Sequence, residues 1–148
     1  MTALQHRIVA EARDWIGTPY VHQSARKGAG TDCLGLIRGL WVSLYGAEPE
    51  PIPAYSMDWS EPQGEERLWE AALRHLLPRP LEQDIPADVI LFRMRSGAVA
   101  KHLGIIGQTG AHPTFIHAYS RHGVVESALS LPWRRRIVAR FSFPEEGF

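Results

Sequence analysis

A single cysteine, Cys33, excludes an internal disulfide, and no group of cysteines and histidines has the spacing of a structural zinc site. No apolar run approaches the roughly 18 residues that a membrane-spanning helix needs. An excess of charge is also missing: 16 Lys and Arg balance 16 Asp and Glu, so no overall field attracts nucleic acid or an anionic membrane. The opening residues MTALQHRIVAEARDW lack the basic, apolar and small-residue regions of a secretory leader, which predicts synthesis in the bacterial cytoplasm without a signal peptide. Repeats and low-complexity tails are absent. What is there is 148 residues, enough for one compact domain spanning 1–148 with a real core.

Leu4, Ile8, Val9, Ala12, Trp15 and Ile16 recur at helical spacing, with Thr2 available as N-cap and Gly17 past the end. A loop without periodicity follows. The clearest stripe is Cys33, Leu36, Ile37, Leu40, Trp41 and Leu44, capped by Thr31 or Asp32 and stopped by Gly46. Residues 46–80 read as an insert: a Pro-rich extended stretch, then a surface helix with a Ser60/Gln63 capping box ending near Leu77. Beyond it the pattern changes to short apolar runs bounded by turns, DVILFRM, KHLGIIGQ, TFIHAYS, GVVES and RRIVARFSF, which predict strands. The basic WRRR at 133–136 reads as a cationic strand edge. Helices first and strands afterwards predict an α+β domain with helices packed on an antiparallel sheet.

Cys33 stands in the first turn of the second helix, where the macrodipole and unpaired N–H groups favour a thiolate and would face an oxyanion formed by its attack on a carbonyl. Such a nucleophile needs a base, normally a histidine held by a third polar group. Of the seven histidines, His6 and His75 lie on exposed helix positions and His112 and His122 border turns, while His22, in the loop before Cys33, is kept as a candidate substrate contact. His102 and His117 differ, because each sits in an apolar strand where a polar ring needs a partner or a purpose. His112, His117 and His122 are evenly spaced, but a five-residue step gathers them on neither a strand nor a helix, so no metal is expected.

GTPY at 17–20, TDCLGLIRGLW at 31–41, ADVILFR at 87–93, KHLGIIGQ at 101–108 and FIHAYS at 115–120 follow the order and spacing of the NlpC family of papain-like cell-wall cysteine peptidases, which this chain resembles over most of its length. The resemblance implies Cys33 as nucleophile, His102 as base and His117 as the residue that orients the imidazole. It also implies Tyr20 near the oxyanion hole and Asp32 as a substrate-binding carboxylate, with no cofactor or metal. Two positions depart from the family pattern: Leu34 follows the nucleophile where Ser is common, and Ala87 precedes the Asp of the first sheet strand where Gly is common.

The implied substrate is the peptide stem of bacterial peptidoglycan, such as its D-γ-glutamyl-diamino acid bond, with Arg26, Lys27 and Lys101 as candidate partners for stem carboxylates. The DCLGLIRGLW variant, the Pro-rich insert and the missing leader resemble the subgroup encoded with phage tails and gene transfer agents. That likeness predicts docking to tail hub or baseplate proteins and action in the periplasm or wall. Two other readings keep the same residues: a Cys-His amidase or acyltransferase on another substrate, and a silent structural tail-tip component.

Overall fold

The computed structural model describes residues 1–50 and 66–145, so the expected Ser60/Gln63 helix start lies outside the described residues. Helix α1 (Ala3–Asp14) begins with a capping box in which the Thr2 hydroxyl accepts the Gln5 N–H and the Gln5 side chain returns to the Thr2 N–H. A two-stranded hairpin, β1 (Ala25–Arg26) and β2 (Gly30–Thr31), leads into α2 (Cys33–Tyr45). Asp32 caps α2, and Gly46, at φ 94°, ends it in the left-handed conformation that glycine adopts without strain. Helix α3 (Arg67–His75) and the strands β3 (Leu77–Arg79), β4 (Val89–Phe92), β5 (His102–Ile106), β6 (Thr114–Tyr119) and β7 (Gly123–Ala128) follow, then the short α4 (Leu131–Arg134) and β8 (Ile137–Ser142).

Six strands form one antiparallel sheet in the order β3-β8-β4-β5-β6-β7. Both faces are covered, and for that reason VILF of β4 is apolar at every position. On one face Val9, Ala12, Trp15, Leu36, Leu40 and Trp41 of α1 and α2 pack on Leu91, Leu103, Ile105 and Ile116. Each such valine, leucine or isoleucine contributes about 1.5–3 kcal/mol on burial. Gly39 lets the two helices approach, because a Cβ there would stand 2.2 Å from the Trp15 ring. The other face carries Ile90, Phe92, Ile106, Phe115 and Leu129, covered by Trp133 of α4.

The expected α+β architecture and all five expected strand regions are present. The stretch read as a surface insert departs from expectation at its end: Leu68, Ala72 and Leu76 bury into the main core, the helix stops at His75, and β3 joins the sheet as an edge strand. The basic run is corrected too. Trp133 and Arg134 are helical, not strand, and Trp133 faces the sheet while Arg134 donates both guanidinium nitrogens to Asp84 at 3.0 and 2.9 Å. Ala87 occupies φ 72°, a left-handed turn conformation, which explains why glycine suits that position.

Candidate active site

The loop before α2 is fixed by its own backbone. Tyr20 bridges Thr31, the Val21 N–H donates to the Thr31 carbonyl at 3.0 Å and the Thr31 N–H to the Pro19 carbonyl at 3.0 Å. Asp32 ties this loop to the helix: Oδ1 accepts the Gly35 N–H at 2.7 Å and Oδ2 the Gln23 N–H at 2.8 Å. Its carboxylate is only 2% exposed, with His22 Nδ1 at 3.9 Å. Gly35 is required by this arrangement, since a Cβ would meet the Ser24 carbonyl oxygen at 1.9 Å.

Cys33 enters the sheet where the sheet opens. Strands β5 and β6 pair at Ile105↔Ile116 and Ile106↔Phe115, and toward His102 the ladder is not continued, although β6 goes on to Tyr119 against β7. The Lys101 carbonyl and the Leu103 N–H on that edge turn instead to Cys33. Its Sγ–H donates to the Lys101 carbonyl at 3.4 Å, and the Leu103 N–H points at the sulfur. The thiol thus comes from the helix-covered side and fills the hydrogen-bonding position of a missing strand partner.

His102 and His117 project on the opposite side, the one covered by α4. In an antiparallel sheet, alternation puts His102 with Ile106, and His117 with Phe115, on that face. His102 Nε2 lies 2.7 Å from His117 Nδ1, and His117 Nε2 lies 2.9 Å from Ser127 Oγ on β7. Aromatic rings enclose the pair. Phe115 and Tyr119 flank His117 at centroid distances of 4.1 and 5.4 Å, and Trp133 contacts His102 and His117 at 5.7 and 5.1 Å.

Burial sets the protonation states. It pushes His102 down to about 4 and His117 down to about 3, with the neighbouring His102 and His122 adding to the effect on His117. Burial likewise pushes the Cys33 thiol up to about 12, and the Asp32 charge adds to it. N–H groups of Leu103, Leu34 and Cys33 act in the other direction and do not offset this. The expectation that the helix terminus favours a thiolate is therefore corrected: in this state the thiol and both rings are neutral, because desolvation outweighs the dipole. Tyr20 is pushed up to about 12 by burial, with Cys33 and Asp32 adding to the effect, so its hydroxyl stays protonated.

Tyr20 and Asp32 neighbour Cys33 at the start of α2, and the sulfur lies against the Lys101 carbonyl, one residue before His102, which is hydrogen-bonded to His117; Arg26 and Lys27 lie exposed around the β1–β2 turn. Lys101 contributes its carbonyl to the thiol. Leu34 lines an apolar crevice with Ile37, Trp41, Leu68 and Leu103 between α2 and α3. Sequence reasoning missed Ser127 and Trp133. Ser127 alternates with Val125 in GVVES, a usable signal only once the register Phe115↔Ser127 is known. Among the described residues no cluster of three or more His, Cys, Asp or Glu side chains could hold a metal ion.

No protein-family model and no curated protein matches the sequence. Solved structures do match its fold. The NlpC/p60 domain of the peptidoglycan hydrolase SagA is 24% identical over 94% of this chain and 98% of that one, with a TM-score of 0.63. An NlpC/P60 family protein from Bacillus cereus matches 97% of this chain at 18% identity and a TM-score of 0.64. A lipoprotein-like NLP/P60 protein from Staphylococcus aureus matches 99% at 18% and 0.63. The present chain spans 41% and 43% of those last two proteins. The fold is thus the papain-like α+β fold of NlpC/P60 domains.

Proposed function

We propose that this NlpC/P60 fold carries a cysteine peptidase that hydrolyses amide bonds in the peptide stem of bacterial peptidoglycan. The observation that carries the reading is the thiol held against the Lys101 carbonyl at the open end of the β5–β6 ladder, one residue before His102, which begins a His102–His117–Ser127 hydrogen-bonded chain. His102 has its Nε2 engaged by His117, which leaves Nδ1 as the base. Substrate binding brings Sγ off the Lys101 carbonyl and its proton passes to His102 Nδ1. The sulfur attacks the scissile carbonyl, and the N–H groups at the start of α2 with the Tyr20 hydroxyl receive the oxyanion. Protonated His102 gives its proton to the leaving amine, and water activated by the same ring releases the acyl group from Cys33.

Neutral resting partners suit this sequence. A thiol and imidazole that are both uncharged are tolerated in an apolar site, and the ion pair forms only as the transition state is approached. Asp32 holds the loop and the start of α2 through backbone donors, and the sequence resemblance further assigns it to substrate binding. The D-γ-glutamyl-diamino acid bond is the favoured target within the stem, on the sequence resemblance alone. The DCLGLIRGLW likeness supports a further reading, delivery to the wall as part of a phage-like tail, which mass spectrometry of purified particles tests directly.

Incubation of sacculi with the wild type and with Cys33→Ala, followed by mass spectrometry of released fragments, tests the activity. New stem-peptide termini from the wild type alone support a peptidase and name its bond. Acyl transfer or hydrolysis only on non-wall amides would overturn the assignment in favour of an amidase or acyltransferase on the same residues.

A further inference from the structure

Both nitrogens of His117 are engaged, Nδ1 by His102 at 2.7 Å and Nε2 by Ser127 at 2.9 Å, and its ring is fully buried between Phe115, Tyr119 and Trp133. A neutral imidazole carries one N–H, so this chain runs in one of two directions. When His117 donates from Nε2 to the Ser127 oxygen, it accepts at Nδ1 from His102 Nε2–H, and His102 Nδ1 is a bare lone pair. When the Ser127 hydroxyl donates instead, His117 donates from Nδ1 to His102, and the single proton of His102 moves to Nδ1. Only the first arrangement provides a base.

We propose that Ser127 is a positioning residue which, through His117, selects the tautomer of His102 that can accept a proton at Nδ1. This rests on the reading of His102 as base given above. Ser127 is half-exposed on the edge strand β7, so its hydroxyl proton can turn to water while its lone pair faces His117. A hydroxyl is suited to the task where a carboxylate is not. It accepts from the ring without adding a charge, and so leaves the buried imidazole pair neutral. The aromatic enclosure fixes the ring plane, so the choice is made by the direction of one proton and not by a ring flip. Tyr119, stacked on both His117 and His122, completes that enclosure.

Long-range 1H–15N spectra of the full chain at neutral pH read the tautomers directly and need no substrate. The wild type is expected to show protonated Nε2 on both His102 and His117. Ser127→Val, which puts a methyl where the hydroxyl stands and so removes the acceptor, is expected to add signals of the opposite tautomer with His102 protonated at Nδ1. Its kcat on sacculi should fall about fivefold with KM unchanged, as for loss of one hydrogen bond of about 1 kcal/mol. Ser127→Thr restores both readouts. Wild-type His102 protonated at Nδ1, or Ser127→Val spectra identical to the wild type, would overturn the proposal even if the variant is fully folded. Should Ser127→Val fail to fold, the wild-type spectra decide alone. A wild type that cleaves no wall peptide overturns the peptidase reading, while the same spectra still test the tautomer assignment.

Discussion

The two faces of the sheet are built for different ends. The face under α1, α2 and α3 buries aliphatic side chains and two tryptophans, Trp15 and Trp41, with His75 of α3 edge-on to Trp41 at its margin. The face under the four-residue α4 is small and aromatic, and places His102 and His117 among Phe92, Phe115, Tyr119 and Trp133. Stability thus resides mainly on one face and the proposed proton chemistry on the other. Cys33 lies at their border, because its helix belongs to the first face while its sulfur bonds the Lys101 carbonyl at the edge of β5, where the β5–β6 ladder stops. The lesson concerns desolvation: the shell that covers the imidazoles is also what holds them neutral.

The largest separation of the two roles is expected for Cys33→Ala, which should lower hydrolysis of sacculi at least about 10⁴-fold while leaving the thermal midpoint near that of the wild type, read by fragment release and circular dichroism. Leu36→Ala should do the converse. It removes a fully buried side chain from the helix-covered face, with an expected loss of about 2–5 kcal/mol in denaturant unfolding, and touches none of the proposed catalytic atoms. A catalytic defect per folded molecule comparable to that of Cys33→Ala would break the division.

Trp133→Ala tests the second face. Because Trp133 is half-exposed, the expected destabilisation is nearer about 2 kcal/mol than the cost at a fully buried site. Water admitted to the pair should raise His102 from about 4 toward the ordinary 6.5, observable as a shifted imidazole titration by NMR. No movement of that titration would mean that the strands alone desolvate the pair.

The pH dependence of stability sharpens the same contrast. With His102 and His117 lowered from 6.5 to about 4 and about 3, the unfolded chain binds protons at a pH where the folded chain does not. Their contribution is present above 6.5 and is lost as pH falls through that window. Asp88 acts with the opposite sign: burial raises it from 3.8 to about 7, so its contribution is present below 3.8 and lost as pH rises toward 7. His117→Gln should therefore flatten the fall in thermal midpoint between pH 6.5 and 4, whereas Asp88→Asn should steepen the net fall in that range. The smallest effect is expected far from both groups, at the α1 cap, where Thr2→Ala should cost about 1 kcal/mol without changing activity.

Much of the first face was legible in the sequence, because a helical stripe such as Leu36, Ile37, Leu40 and Trp41 reports which side of a helix is buried whatever it packs against. The capping of α1 by Thr2 and of α2 by Asp32 is local chemistry and was equally readable. The second face was less so. WRRR looked like an exposed basic edge, since nothing within four residues indicates that Trp133 covers a histidine pair on other strands. Leu77–Arg79, with its proline, fell at the end of the expected insert; its partner in β8 lies more than sixty residues away in the chain.

The sequence by itself determined the elements and the cast of residues. Periodicity, caps and turn chemistry are set by neighbours within one or two turns of chain, and a lone cysteine at a helix start with two histidines in apolar strands marks out the proposed nucleophile and its partners. Only the tertiary structure decided how they act. The end of the β5–β6 ladder gives the sulfur its place, the strand register brings Ser127 to His117, and burial makes the thiol and imidazoles neutral against the pull of the helix dipole. Register and desolvation are sums over residues distant in sequence, so no local pattern carries them.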